Sequence, residues 1–386
     1  MKRLAYFILT CVVTACTATP KSVSVSIQNP STFDRSQELV EISLDSLKSR
    51  ISLADGLTYI VKNQSGEIVP SQVTYDNKLI FQSGLTANGQ GVFTIEGGKN
   101  PEFTPKTYGR YIKERKDDFA WENDKVAFRI YGPALIPIDG PSNGIDIWYK
   151  RTGDMVIDKW YKNDLAGVAS YHNDNGEGLD DYSVSRSLGA GAMAPWVNDK
   201  LWLNQNYANQ ELLENGPLRT TFKLTYNDIE VAGKKFAETR LFSIDAGSQL
   251  TKVVQSYSTS DPISVAAGIV LRDIKDQVIT SAEKGYVIYP EPATPKASGV
   301  FVSIVLPSGI KNITTDTYEA KNPTGRSLTY RHTLALTDYQ PGKPLTYYTG
   351  YGWTQAGFPT VDAYKAYIEN FVSALKTPLI IYALKG

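Results

Sequence analysis

The chain has 386 residues, 42% of them hydrophobic and 11% aromatic, and its forty basic and forty acidic side chains cancel. That balance excludes the basic footprint of a nucleic-acid binder or of a protein held electrostatically on an anionic membrane. Length and apolar content suffice for a large core, while two cysteines, Cys11 and Cys16, give neither a disulfide framework nor a cysteine metal site.

In chain order, Lys2 and Arg3 precede an apolar run from Leu4 to Val13. A bilayer-spanning helix takes about 20 residues, so this shorter run reads as the hydrophobic region of a signal peptide. It ends in Val13-Thr14-Ala15-Cys16, which resembles a lipoprotein cleavage site, and a thiolate is the nucleophile that takes a diacylglycerol. The expected organisation is a signal peptide at 1–15 and a lipidated tether at 16–21, with Cys16 carrying the lipid. No acid occurs in Thr17-Ala18-Thr19-Pro20, which favours the outer membrane with the protein facing the periplasm.

From 22 to 100, short alternating apolar runs such as Val23-Val25-Ile27 and Leu57-Tyr59-Val61 alternate with turn residues, the pattern of a small antiparallel β-module. A Gly/Pro-rich stretch around Gly97 to Thr107 marks a boundary. The remainder, 108–386, again reads as strands, among them Lys125–Tyr131, Ile145–Tyr149, Arg219–Tyr226, Leu250–Tyr257 and Val300–Leu306. One segment departs from this: apolar residues at 361, 364, 368, 371 and 375 predict a helix capped by Thr360 and ended before Pro378. The expected fold is all-β, a large antiparallel two-sheet sandwich behind a small N-terminal β-sandwich, with a C-terminal helix.

Three constellations carry candidate chemistry. The charge-rich run Arg110 to Asp124 holds Phe119 and Trp121; a charge run is usually solvated, but aromatics among charges line recessed sites, and Arg110 or Arg115 would clamp a carboxylate or sulfate. The segment Tyr171 to Tyr182 gathers His172, Asp174, Glu177, Asp180 and Asp181 with two tyrosines and two glycines. Histidine moves protons near neutral pH and tyrosine donates them; the same set admits a divalent metal on Asp174, Glu177 and Asp180, or is simply an Asn/Asp/Gly turn. Third, Tyr347 to Trp353 is an aromatic strand, readable as a sugar platform or as core, and His332 sits in an apolar strand as a core histidine would. No G-x-S-x-G, H-E-x-x-H or dinucleotide fingerprint is placed to act.

The run Glu114 to Leu135, with Gly144 to Lys150, Tyr171 to Asp180, Gly216 to Thr220 and Tyr348 to Trp353, resembles the hallmark of domain-of-unknown-function family 4861 across nearly the whole mature chain. The resemblance implies an exported protein of polysaccharide-degrading bacteria, a galactose-mutarotase-like supersandwich, and an activity of the oligosaccharide-dehydratase kind seen in ulvan breakdown. Elimination needs a base for a carbon-bound proton, an acid for the leaving oxygen and a cation for developing charge. His172 is the candidate base and Tyr171 or Tyr182 the acid, with Glu177 and Asp180 orienting His172. Arg110, Arg115, Trp121, Lys150 and Trp353 are the candidate substrate contacts. The expected partner is an oligosaccharide, with the membrane reached only through the lipid. A mutarotase or epimerase would use the same residues, a glycosidase would need paired carboxylates among Asp117, Glu122, Glu177 and Asp180, and a binding lipoprotein would need no titrating group.

Overall fold

The computed structural model describes residues 22–382. The predicted signal peptide, Cys16 and the tether lie outside them. Among the described residues no helix is long and apolar enough to cross a membrane.

The fold is an all-β supersandwich behind a small N-terminal β-module, with a long C-terminal helix. In the module, Ser22–Gln28 alternates as its sequence does, burying Val23, Val25 and Ile27. Its five-stranded and three-stranded sheets enclose a separate core that includes Val61, Leu79, Phe81 and Ile95. The chain end returns here: Ile380 and Ile381 pair with Gln28 and Ile27, adding an outer strand to the module's sheet.

The large domain has two layers. One is an eight-stranded antiparallel sheet running from Asn209–Asn215 at one edge to Ile279–Ser281 at the other. The other layer is a five-stranded and a four-stranded sheet, joined edge to edge by a parallel bridge between Ile145 and Gly189. Gly189 is required at that joint. Its φ is +60°, and an added Cβ would lie 2.2 Å from the Ile145 carbonyl oxygen. Between the layers lies one continuous core, containing Phe119, Trp121, Phe128, Phe222, Phe242 and Tyr351.

Two helices cover outer faces. Val361–Lys376 buries Tyr364, Ile368 and Val372 against the eight-stranded sheet, and the Thr360 hydroxyl accepts from the Ala363 N–H at 3.2 Å. A second helix, Ile157–Leu165, lies on the five-stranded sheet and carries no side-chain cap of its own.

Candidate functional site

The site follows from strand periodicity. In Asp118–Asn123, Phe119 and Trp121 face the shared core, so Asp118, Ala120 and Glu122 point to the outer face. The neighbouring strands Ala127–Ile130 and Asp146–Lys150 obey the same alternation, adding Arg129, Asp146, Trp148 and Lys150 to that face. The sheet thus turns a row of charged side chains away from its core and under the helix Ile157–Leu165 and the loop ending at Asp180.

At one end of the row, Glu122 and Lys150 form a buried ion pair of 2.8 Å, and Lys150 also donates to the Asn123 carbonyl. The Glu122 carboxylate accepts the N–H groups of Val156 and Ile157, so it caps the helix from a distant strand. This end is structural.

The other end is built around Arg129, whose side chain is 2% exposed. Its Nε donates to Asp146 at 2.9 Å, and its Nη2 donates to Asp180 at 2.7 Å and to the Tyr131 hydroxyl at 3.1 Å. Tyr131 donates in turn to Asp146 at 2.9 Å. Asp118 lies 4.0 Å from Arg129 Nη1 and accepts from Tyr161 at 3.2 Å. The guanidinium also lies over the rings of Tyr131 (4.7 Å), Trp148 (5.2 Å) and Tyr171 (5.7 Å). Arg115 approaches from the rim: its Nη1 is buried, makes no hydrogen bond, and lies 3.5 Å from Asp118.

Two arginines therefore face three carboxylates, and the arrangement favours retaining a proton. Burial pushes the Asp146 carboxyl up to about 6, with Asp180 adding to the rise and Arg129 opposing it. Burial raises Asp118 as well. His172 stands at the mouth, its side chain 52% exposed, with Nδ1 3.1 Å from the Asp180 carbonyl oxygen and 3.5 Å from its carboxylate. Its ring leans on Tyr171 at 4.6 Å. Buried carboxyl groups with displaced protonation, a half-exposed imidazole and two guanidinium groups make an arrangement suited to acid–base chemistry on an anionic or polyhydroxylated ligand.

Of the predicted residues, the structure brings together His172, Tyr171, Asp180 and Arg115. Others are corrected. Trp121 is fully buried, stacked on Phe128 and donating to Thr251 Oγ1 at 3.2 Å, so it offers no sugar platform. Trp353 is 1% exposed and donates to the Ser298 carbonyl. Lys150 is occupied by Glu122. Tyr182 is buried in the shared core beneath the Arg272 guanidinium. Arg110 is held at the surface by Asp158 and Glu114. Glu177 bonds Lys159 and Trp160 instead of His172; burial raises its pKa, but those two bonds outweigh it and hold the carboxyl below its usual range.

The metal set does not assemble either. Asp174 pairs with Arg151, Glu177 with Lys159 and Asp180 with Arg129, three different cations. Among the described residues no group of three or more His, Cys, Asp or Glu converges as a metal would require. Arg129, Tyr131, Asp146 and Asp118 were not among the predicted site residues. Their signal was present as single charges within apolar strands, in Phe128-Arg129-Ile130 and Ile145-Asp146-Ile147.

The fold is similar to that of an alpha-mannosidase from Enterococcus faecalis V583 (TM-score 0.52, 10% identity, covering 95% of this chain and 46% of that one). It is also similar to a glycosyl hydrolase family 38 protein from Enterococcus faecalis (TM-score 0.50, 9% identity, 95% of this chain and 48% of that one). The chain spans about half the length of these two structures. Among curated proteins, Uncharacterized protein P7 of Formosa agariphila is 31% identical over 376 residues, 92% of each chain. The model of the family described as Domain of unknown function (DUF4861) matches residues 27–381, and the chain belongs to that family.

Proposed function

We propose that this protein is a carbohydrate-processing enzyme that acts on oligosaccharides by elimination, as a dehydratase or lyase does. The observation that carries this reading is the His172 imidazole, held by Asp180 at the mouth of the buried Arg129 cluster. His172 takes a carbon-bound proton, the C–H electrons form a double bond, and the adjacent C–O bond breaks. Tyr171 or Tyr131 protonates the departing oxygen, so that water or an alcohol leaves. Arg115 faces the negative charge that develops before the bond breaks. The fold shared with an alpha-mannosidase supports a saccharide substrate.

The test is mass spectrometry of pectic, ulvan-type and arabinogalactan oligosaccharides incubated with the full-length chain. The expected product has lost one water or has been cleaved with a new ultraviolet-absorbing double bond, and His172→Ala abolishes it. Anomer exchange at constant mass would instead favour a mutarotase, and binding without any change would favour a sugar-binding lipoprotein. Full turnover by His172→Ala would sink the assignment of the base.

Lipid on Cys16, with the domain facing the periplasm, completes the proposal. Labelled fatty acid should enter the wild-type chain and not Cys16→Ser. Release of the domain by protease from intact cells would overturn the periplasmic placement.

A further inference from the structure

A cleft of about 560 Å³ opens where the N-terminal module, the eight-stranded sheet and the C-terminal helix meet. It lies across the shared core from Arg129. In the strands that form its floor, Phe222, Phe242 and Val253 face the core, while the alternate residues Thr221, Ser243 and Lys252 line the cleft. Its volume falls within the roughly 300–1,000 Å³ of small-molecule sites, and its place between two structural units is where such sites concentrate.

Two features of the lining limit what fits. First, most of its charges are matched within the wall, with Asp34 and the exposed Lys252 standing apart from these pairs. Arg35 pairs with Glu38, Lys78 with Glu41 and Asp76, and Arg219 with Asp245 at 2.6 Å and Glu41 at 2.7 Å. An anion or cation seated on the paired part of the wall would have to break one of these pairs, and a hydrocarbon would strip them of water without replacing its hydrogen bonds. Hydroxyl groups both donate and accept, so they can bond either member of an ion pair and leave the pair intact. Second, aromatic rings stand beside the polar wall. Tyr348 is half-buried and meets the edge of Phe371 at 5.0 Å, and burial holds its phenol up at about 12, so its hydroxyl stays neutral.

We propose that this cleft binds an uncharged stretch of glycan, seated against Tyr348 and Phe371 with its hydroxyls along the ion-paired wall. The protein then grips a saccharide at a second place, remote from the Arg129 cluster. This goes beyond the elimination reading and stands or falls without it, because it concerns other residues on the opposite face of the sandwich.

Isothermal titration of the full-length chain with neutral manno-, xylo-, gluco- and galacto-oligosaccharides tests it. At least one series should bind, with the same affinity in His172→Ala as in the wild type. Tyr348→Ala should weaken that binding tenfold or more, and Tyr348→Phe should retain most of it. Asn370→Arg, which projects a long charged side chain from an exposed helix position lining the cleft, should also weaken it tenfold without touching the core, should Tyr348→Ala fold poorly. Three outcomes overturn the proposal: no binding of any neutral series, binding lost in His172→Ala, or binding unchanged in Tyr348→Ala and Asn370→Arg. Mass spectrometry of the same samples reads the elimination chemistry separately.

Discussion

The Tyr131 hydroxyl donates to the Asp146 carboxylate at 2.9 Å, and this contact joins the partly exposed rim of the site to its buried charge. Because Arg129 donates to the same phenol oxygen, the hydroxyl proton points at Asp146 in the resting site, and burial holds the phenol well above its usual range while the Arg129 guanidinium opposes that rise. Tyr131→Phe keeps the ring over the guanidinium and removes only the proton. Turnover should fall by roughly 100- to 10,000-fold, the usual weight of one positioned acid or base. The lost hydrogen bond should cost only about 1 kcal/mol of stability. Kinetics and urea unfolding on the same variant check both, and unchanged kcat would remove Tyr131 from the chemistry.

Protonation of Asp146 gives the site a pH signature. The folded chain holds this carboxyl at about 6 against an ordinary 3.8, so it binds the proton more tightly than the unfolded chain. The resulting stabilisation is complete below about pH 4 and is lost as pH rises through 6, a window worth about 3 kcal/mol. Asp146→Asn is neutral throughout and lacks this slope. The wild type's stability relative to the variant should therefore decline between pH 4 and 7 in urea unfolding, and a flat difference would contradict the shift.

The C-terminal helix offers a local test. Thr360→Ala removes the hydroxyl that accepts from Ala363 and should cost about 1 kcal/mol. Because Tyr364, Ile368 and Val372 still anchor the helix, the loss should register in chemical unfolding without loss of the fold. A variant as stable as the wild type would mean that solvent caps the helix equally well.

What the sequence revealed depended on how far the cause lay along the chain. Alternation in Val23-Val25-Ile27 and the cap at Thr360 are local, and both elements were legible. His172 and Asp180 meet because a short loop returns the chain on itself, so their partnership was also visible. The helix Ile157–Leu165 was not, because its cap is a carboxylate 34 residues upstream and Val156 supplies no side-chain cap. Trp121, Lys150 and Trp353 were chosen for residue type, whereas their fate is decided by which face or partner the strand gives them. Parity alone assigns Trp121: it shares a face with Phe119, and the face that carries the Arg129 cluster is that of Asp118. Arg129 and Asp146 were missed because an isolated charge in an apolar strand gains meaning only when the neighbouring strand places its partner opposite, as the register Arg129 to Asp146 does.

That same face holds the sharpest stability prediction. Glu122 serves Lys150 and the helix start together, so removing either partner leaves a different defect. Lys150→Met strands a buried carboxylate that still receives two backbone N–H groups, whereas Glu122→Ala strands a buried ammonium and also uncaps the helix. Each single change should cost on the order of 3–5 kcal/mol, the usual penalty for half of a buried pair, with Glu122→Ala the worse. Combining Glu122→Leu with Lys150→Met removes both charges and should recover much of that loss, but not the cap, which is worth about 1 kcal/mol. Hydrogen exchange separates the terms: the amides of Val156 and Ile157 should lose protection in every variant lacking Glu122 and keep most of it in Lys150→Met. Equal protection in all variants would mean that Glu122 does not cap the helix, and would leave the ion pair alone responsible for the loss.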